Sequence, residues 1–355
     1  MPWTSEREEQ TSLPHSQWPR LSFYPTFFAK CPYTLRVSPH RDTLTRKSQE
    51  WILSQAKLSP ERQAKFLQTE AGVLTAYCYP DADYSRLQVI SDWMEWVICI
   101  DDWTDEFDEK ETESLGSCIM NCLRDPHGYQ TDKAAGRLIK DYSARFLEDS
   151  KPNCARRFVE AMDLFLKAVT EQAAHRQKGH TPDMESYISL RRDSSASRPC
   201  YVLIEYANRI DLPDEVIEHP LIRSMEHAIN DWASWTNDIF SYKKEHALGD
   251  THNLICVIMK ERDLELQPAM KVAEELCMKC IQDLERDRAA LPSWGPEIDR
   301  QVKVYVQGLQ EWIVGSLYWS FACKRYFGTE GEVVKQNRTL NLSTQKKESR
   351  AHNSM

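Results

Sequence analysis

The chain of 355 residues is short of glycine, of long apolar runs and of paired cysteines. Its 11 glycines are too few for a sheet protein rich in tight turns. The apolar stretch WVICI at 96–100 is much too short to cross a bilayer, and the amino terminus MPWTSEREEQ lacks the basic and apolar regions of a signal peptide. These absences predict a cytoplasmic protein without a membrane span.

The 11 cysteines are odd in number and scattered along the chain. The single C-x-x-C motif, Cys277–Cys280, has no second pair that would complete a zinc site, so we expect reduced and mostly buried thiols. The net charge of −9 makes nucleic acid and anionic membrane surfaces unfavourable as general partners. A local cation site is not excluded, because bound cations reverse the sign of the local field.

Helical periodicity is the main positive signal in the sequence. Apolar residues recur at spacings of three or four along about 84–105, 221–245, 268–290 and 297–326. No long run alternates β-branched with polar residues, as the strands of an open sheet would. The pattern therefore predicts a protein built from long helices.

The two ends of the chain differ from this helical middle. Six of the 17 prolines fall within the first 39 residues, which indicates an extended, irregular start. The last residues are polar and lack periodicity. The sequence therefore predicts an irregular segment at 1–40, one all-α domain at 41–328 and a polar, disordered tail at 329–355.

The stretch DDWTDEFDE at 101–109 places a cluster of acids at the carboxyl end of an apolar helix. Negative charge there costs about 0.3–1 kcal/mol for each exposed acid unless a cation binds. Asp101 and Asp105 are four residues apart, so they share one helical face and repel each other. With 54 acids in the chain such a pattern also arises by chance, so the stretch fits either a solvated charge run or a divalent-cation site.

A second polar motif, TNDIFSYKKE at 236–245, interrupts the most regular apolar helix of the chain. Asn237, Ser241 and Glu245 follow one another at intervals of four, so their side-chain oxygens form a ladder on one face. Asn and Ser are unfavourable inside helices because their side chains compete for backbone hydrogen bonds. The motif therefore indicates a ligand-binding task, with an exposed polar seam as the alternative.

Together, DDWTD and NDIFSYKKE resemble the two metal motifs of class I terpene synthases, the aspartate-rich motif and the N-D-x-x-S-x-x-x-E triad. Arg191 lies 46 residues before Asn237, where that family has its diphosphate-sensing arginine. Arg325 and Tyr326 match the family's terminal Arg-Tyr pair, and Trp319 lies six residues before the arginine. The segments VSPHRDTLTRKSQEW and CYPDAD are similar to those of fungal sesquiterpene cyclases, so the resemblance extends over about 35–328.

The resemblance implies a single-domain helical bundle with a central active-site cavity. It also implies a Mg²⁺-dependent sesquiterpene synthase that cyclises farnesyl diphosphate and releases diphosphate, with Mn²⁺ as a possible substitute ion. Three Mg²⁺ ions would be held by oxygen ligands, which are Asp101, Asp105, Asn237, Ser241 and Glu245. The diphosphate would be bound by Arg191, Arg325 and Tyr326, which are the expected catalytic residues. The rest of the substrate would contact Trp319, Val97, Ser194 and Ser195.

Parts of these motifs remain open to other assignments. Many relatives have a glycine shortly after the sensor arginine, where this chain has SSAS at 194–197, so the geometry of the helix break is not given by the resemblance. Arg192 is an alternative to Arg191, and Asp102 is an alternative ligand or a spectator.

The remainder of the acidic stretch has simpler expected roles. Asp108 and Glu109 are expected to be solvated charges. Trp103 and Phe107 are expected to anchor the helix end in the core. Trp93, Trp96 and Trp235 are expected to be ordinary core residues as well.

Two other functions compete with the cyclase. A chain-elongating prenyl transferase shares the all-α architecture, but it is expected to carry a second aspartate-rich motif in place of NDIFSYKKE. A helical scaffold could use the same acidic and polar seams to bind a protein partner. Neither the cyclised product nor the choice between monomer and homodimer follows from these residues.

Overall fold

A computed structural model gives the structure of the protein and describes residues 26–104, 107–177, 181–248 and 250–338. Within these ranges the regular structure is entirely helical, which confirms the predicted all-α fold. The helices are α1 Phe27–Lys30, α2 Arg41–Gln55, α3 Pro60–Leu67, α4 Ala71–Cys78, α5 Tyr84–Thr104, α6 Glu109–Arg124, α7 Ala134–Asp149, α8 Pro152–Gln177, α9 Met184–Ser194, α10 Ser197–Asn208, α11 Asp214–Ile217, α12 Pro220–Leu248, α13 Leu254–Arg262, α14 Leu266–Ala289, α15 Pro296–Ala322, α16 Lys324–Phe327 and α17 Gly331–Asn337.

Several of these helices are capped at their amino-terminal ends by side chains that lie next to them in the sequence. The Asp108 carboxylate accepts a hydrogen bond from the Glu111 N–H, and the Glu111 carboxylate accepts one from the Asp108 N–H, so α6 begins with a capping box. Asp108 is therefore a helix cap, and only Glu109 fits the expected picture of a plain solvated charge. Asp183 caps α9 by accepting from the Ser186 N–H, and Asn253 caps α13 by accepting from the Ile255 N–H.

The longest helices form the centre of the molecule. Helix α12 packs against α10, α14 and α15, and α15 also packs against α4. Helix α5 lies against α2, α4 and α7. Trp93, Trp96 and Trp232 are fully buried, and Trp235 is 6% exposed, so the tryptophans predicted to be core residues are core residues. Trp103 and Phe107 are partly buried against the same core, as predicted.

A glycine allows the close contact between α15 and α4. A Cβ atom added to Gly315 would lie 2.8 Å from the Cys78 Sγ and 3.0 Å from the Tyr77 carbonyl carbon. Contacts that short would force the two helices apart. The missing side chain therefore sets the spacing between α15, which leads to the carboxyl-terminal Arg-Tyr pair, and the rest of the bundle.

The described part of the amino-terminal segment is tied to the bundle. Thr26 donates hydrogen bonds from its N–H and its hydroxyl to the Glu274 carboxylate of α14, at 2.9 and 2.8 Å. Lys30 forms an ion pair of 3.0 Å with the same carboxylate, and Phe27 between them is 1% exposed. The segment predicted to be irregular thus contains α1. Residues 1–25 lie outside the described residues.

The predicted start of the tail at residue 329 is too early. Helix α17 follows a short 3-10 turn, Gly328–Glu330, and buries Val334 to 3% exposure. It packs against α15 and α16 through Val334, whereas the neighbouring Val333 points to solvent and is 54% exposed. Residues 339–355 lie outside the described residues.

Two further expectations concern the chain as a whole. All 11 cysteines are free thiols, and nine of them are buried, as predicted. Among the helices that the structure describes, none combines the length and the apolar character needed to cross a bilayer.

Candidate active site

Side chains from four helices meet where the sequence motifs converge. The Arg191 Nη2 on α9 donates a hydrogen bond of 3.0 Å to the Asn237 Oδ1 on α12. The Asn237 Nδ2 donates one of 2.8 Å to the Tyr326 hydroxyl on α16. Arg325, the neighbour of Tyr326, donates from Nη2 to the Asp101 Oδ2 on α5, at 3.2 Å. The structure therefore brings together four motifs that lie far apart in the sequence.

The polar ladder of α12 has the predicted spacing. The Ser241 hydroxyl donates to the Asn237 carbonyl at 2.7 Å, and the Glu245 Oε2 accepts from the Asn253 Nδ2 at 2.9 Å. Burial, followed by the charge of Asp238, raises the pKa of the Glu245 carboxyl to about 7. A divalent cation would favour the ionised carboxylate here. Amide, hydroxyl and carboxylate oxygens are also the ligands that Mg²⁺ prefers, so the residues fit the implied ion.

Asp238 is a buried acid beside Arg191 that the sequence analysis did not single out. It is 1% exposed, and its Oδ1 accepts hydrogen bonds from Arg191 Nε and Nη2 at 3.1 and 2.9 Å. Its Oδ2 accepts from the Tyr187 hydroxyl and from the Leu254 N–H. Asp238 therefore fixes the Arg191 guanidinium in place.

The charge state of Arg191 follows from this pairing. Burial acts to lower the pKa of the Arg191 guanidinium, but the charge of Asp238 and of the neighbouring acidic groups outweighs it and raises that pKa above its ordinary value. The guanidinium therefore stays positively charged although it is buried.

Arg192 points to a different part of α12. Its Nε and Nη2 donate to the two carboxylate oxygens of Asp231, at 2.8 and 2.7 Å. Asp231 lies six residues before Asn237 and outside the polar ladder. The geometry therefore favours Arg191 over Arg192 at the site.

The break between α9 and α10 lies directly after these arginines. Ala196 has φ of 57°, in the left-handed region that L-residues rarely adopt. The Ser195 hydroxyl donates to the Asn230 Oδ1 at 2.9 Å, so it supports the break. The Ser194 hydroxyl is buried, with no hydrogen-bond partner among the described residues. Of the two serines predicted to contact substrate, Ser194 is the one with free hydrogen-bonding capacity.

The predicted wall residues are also placed close to the polar groups. The Trp319 ring lies edge-on to the Tyr326 ring, with centroids 5.8 Å apart, and its Nε1 donates to the Thr69 carbonyl at 2.9 Å. Val97 lies one turn before Asp101 on α5 and is 6% exposed. Burial raises the pKa of Tyr326 to about 12, so its hydroxyl stays protonated and able to donate.

The acidic stretch is described only in part. The Asp101 side chain is 56% exposed, at the end of α5. Asp105 lies outside the described residues, and so does the side chain of Asp102. Across the parts of the chain that are described, no three His, Cys, Asp or Glu side chains form a metal-binding cluster. The predicted ligand set instead combines carboxylates with Asn237 and Ser241.

Comparison with known proteins identifies the family to which the chain is similar. The sequence profile of the family described as "Terpene synthase family 2, C-terminal metal binding" matches residues 92–283. Sesquiterpene synthase Agr1 of Cyclocybe aegerita is 41% identical over 318 residues, which are 90% of this chain and 92% of that protein. Alpha-muurolene synthase of Coprinopsis cinerea is 41% identical over 343 residues, which are 94% of this chain and 80% of that protein.

Solved structures share the fold. The SVS_A2 protein from ancestral sequence reconstruction has a TM-score of 0.71 at 23% identity, covering 82% of this chain and 88% of its own. Germacradien-4-ol synthase from Streptomyces citricolor has a TM-score of 0.71 at 22% identity, covering 81% of this chain and 96% of its own. With these neighbours in fold, and with close relatives along nearly its whole length, the chain belongs to the terpene synthase family.

Proposed function

We propose that the protein is a Mg²⁺-dependent sesquiterpene synthase that ionises and cyclises farnesyl diphosphate and releases diphosphate. The observation that carries the proposal is the contact chain from Arg191 through Asn237 to Tyr326, which joins anion-binding donors to the polar ladder of α12. The relatives named sesquiterpene synthases support the choice of a fifteen-carbon substrate. They do not favour the prenyl transferase or the protein-binding scaffold.

The ion-binding side of the site consists of oxygen ligands on two helices. Asn237, Ser241 and Glu245 would hold Mg²⁺ from α12, while Asp101 and Asp105 would hold it from the end of α5. Three bound Mg²⁺ ions would supply Lewis-acid stabilisation to the departing diphosphate.

The protein's own donors act on the same anion. Arg191 and Arg325 carry guanidinium groups that suit bidentate contact with phosphate oxygens, and Tyr326 keeps a protonated hydroxyl. Because these groups are already held by Asp238, Asp101 and Asn237, little reorganisation is needed when diphosphate develops charge.

The hydrocarbon part of the substrate needs walls without nucleophiles. Val97 offers an apolar surface near Asp101, and the Trp319 ring offers an aromatic face near Tyr326. An aromatic face stabilises a nearby cation by about 0.5–2 kcal/mol. Exclusion of water by such walls protects the cation from premature capture.

The test is turnover with defined substrates. Purified protein is incubated with geranyl, farnesyl or geranylgeranyl diphosphate, with and without Mg²⁺, and volatile products are read by gas chromatography with mass spectrometry. We expect a sesquiterpene hydrocarbon or alcohol from farnesyl diphosphate, formed only with Mg²⁺. The absence of a Mg²⁺-dependent terpene from all three substrates would overturn the proposal.

The ligand assignment is tested by three matched variants. Asp101→Ala and Asn237→Ala are each expected to lower turnover by about 100-fold or more, the loss typical of one missing charge-stabilising contact. Glu109→Ala removes an exposed acid from the first turn of α6, eight residues from Asp101, and is expected to keep wild-type turnover. Wild-type rates in either of the first two variants would refute the assignment of that residue.

A further inference from the structure

Asn253 lies on the connection between α12 and α13 and is fully buried. Its Oδ1 accepts a hydrogen bond of 2.8 Å from the Ile255 N–H, which caps α13. Its Nδ2 donates to the Glu245 Oε2 at 2.9 Å and to the Asp238 carbonyl at 2.8 Å. The amide therefore uses both of its protons and its oxygen in one compact arrangement.

The orientation of this amide follows from its partners. The Ile255 N–H can only donate, whereas the Asp238 carbonyl and the ionised Glu245 carboxylate can only accept. If the amide were flipped, its oxygen would face the oxygens of Glu245 and Asp238, and its NH₂ group would face the Ile255 N–H. Asn253 is therefore held in a single orientation, with its N–H groups directed at α12.

The backbone on both sides of Asn253 is fixed to the same helix. The Asp250 N–H donates to the Glu245 carbonyl at 3.0 Å, and the Leu254 N–H donates to the Asp238 Oδ2 at 2.7 Å. A long carboxylate side chain such as Glu245 loses rotamer freedom when it binds a ligand. A hydrogen-bond partner on a fixed backbone, here Asn253, restricts the rotamers of Glu245 before the ligand binds.

We propose that Asn253 is a positioning residue for metal binding, which holds the Glu245 carboxylate in the orientation that ligates the divalent ion. Asn253 contacts Oε2, so it restricts the carboxylate without itself being a ligand. The inference rests on the proposed function, because it takes Glu245 as a metal ligand. Loss of such a supporting contact lowers metal affinity by about 10- to 100-fold in other metal sites.

The test separates this role from the capping of α13. Asn253→Ser keeps a side-chain oxygen for the helix cap but removes the amide donors, whereas Asn253→Ala removes both. Binding of Mg²⁺ in the presence of inorganic diphosphate is measured by titration calorimetry, and thermal unfolding is measured alongside. We expect Asn253→Ser to weaken Mg²⁺ binding by about 10- to 100-fold while unfolding at a higher temperature than Asn253→Ala.

Repeating the measurement in a protein that already carries Glu245→Gln tests whether Asn253 acts through Glu245. In Glu245→Gln the ligand is already impaired, so adding Asn253→Ser is expected to cause little further loss of Mg²⁺ binding. In turnover, Asn253→Ser should raise the Mg²⁺ concentration needed for half the maximal rate, and saturating Mg²⁺ should restore most of kcat.

Each contrary result has a distinct meaning. Wild-type Mg²⁺ affinity in Asn253→Ser, or an equal loss in both backgrounds, would overturn the positioning role and leave the proposed function intact. No binding of Mg²⁺ and diphosphate by the wild-type protein, or no loss in Glu245→Gln alone, would overturn the ligand assignment and the positioning role together.

Discussion

Arg191 and Arg192 are neighbours on α9, yet their guanidinium groups bind different carboxylates of α12. Arg191 pairs with Asp238 and also reaches Asn237, while Arg192 pairs only with Asp231 among the hydrogen bonds that the structure describes for its guanidinium. Successive residues of a helix point about 100° apart, so two adjacent arginines cannot serve one site equally. Two adjacent residues of the same type, Arg191 and Arg192, therefore need not have the same function.

This difference predicts unequal effects of the same substitution. Arg191→Lys keeps the positive charge but loses the fork that contacts two partners, so kcat/KM is expected to fall by at least about tenfold. Arg192→Lys is the matched control and is expected to stay within about threefold of wild type, because its partner lies outside the site. Steady-state kinetics with farnesyl diphosphate measure both. Equal losses in the two variants would contradict the assignment of Arg191, rather than Arg192, to the proposed site.

At the scale of single residues, sequence analysis could single out only the candidate site residues that belong to regularly spaced motifs. The intervals from Asn237 to Ser241 and Glu245 are visible because a helix repeats its faces every three or four residues. Asp238 and Asn253 were missed for a physical reason: each acts through partners chosen by tertiary packing. A local sequence pattern cannot show that a helix-capping residue such as Asn253 also forms hydrogen bonds to the preceding helix.

Helices α9 and α10 are separated by two residues, Ser195 and Ala196, and Ala196 is in a left-handed conformation. Ala196 adopts φ of 57°, a conformation in which the Cβ of an L-residue crowds the following carbonyl oxygen. Ala196→Gly is therefore expected to raise the free energy of unfolding by about 0.5–1 kcal/mol, in denaturant titrations.

A control within α10 tests the cause of that gain. Ala207 lies inside the same helix and is 3% exposed, so Ala207→Gly is expected to lower the free energy of unfolding by about 1 kcal/mol or more. A loss of stability in both variants would show that the left-handed conformation of Ala196 carries no strain.

Two helical glycines are expected to respond in opposite directions to alanine. A Cβ at Gly116 in α6 would meet the Leu166 Cβ at 3.6 Å, an ordinary contact, so Gly116→Ala should raise the free energy of unfolding by about 0.5–1 kcal/mol. A Cβ at Gly315 in α15 would meet Cys78 at 2.8 Å, so Gly315→Ala should lower it by about 1–3 kcal/mol. Denaturant titration of the two variants decides. Stabilisation by Gly315→Ala would mean that α4 moves aside without cost.

At the scale of elements, periodicity predicted the long helices and missed their interruptions. The predicted helix at about 84–105 agrees with α5, Tyr84–Thr104, and 268–290 agrees with α14, Leu266–Ala289. The single helix predicted at 297–326 is divided in the structure, because the Lys324 N–H donates to the Gln68 carbonyl at 3.1 Å instead of continuing the helix. That partner lies more than 250 residues away, so a local pattern cannot report it.

At the scale of the whole molecule, a buried carboxyl group makes stability depend on pH. Glu95 on α5 is fully buried, and its Oε1 accepts from the Gly72 N–H at 3.2 Å, while its Oε2 has no partner among the described residues. Burial, which outweighs the hydrogen bonds from the start of α4, raises the pKa of Glu95 to about 8. The folded protein therefore keeps a proton that the unfolded chain releases at the ordinary pKa of glutamate.

The direction of the effect follows from proton linkage. Between the unfolded and folded pKa values, unfolding releases the Glu95 proton, so rising pH lowers the free energy of unfolding by about 1.4 kcal/mol per pH unit. Buried His252, whose pKa is lowered to about 3 mainly by burial, acts in the opposite direction only below its ordinary pKa. Glu245 and Glu205, whose pKa values are raised to about 7 mainly by burial, add declines of the same sign below that pH, so the decline caused by Glu95 is clearest between about pH 7 and pH 8.

Glu95→Gln removes this titration and keeps a side-chain oxygen for the Gly72 N–H. The stability of the variant relative to wild type is therefore expected to rise by up to about 1.4 kcal/mol per pH unit from about pH 5 to pH 7, and to level off near pH 8. Denaturant titrations of the variant and the wild type across that range measure the difference. The difference isolates Glu95 because every other titrating group is common to both proteins. A difference that is flat with pH would mean that the Glu95 carboxyl is already ionised in the folded core.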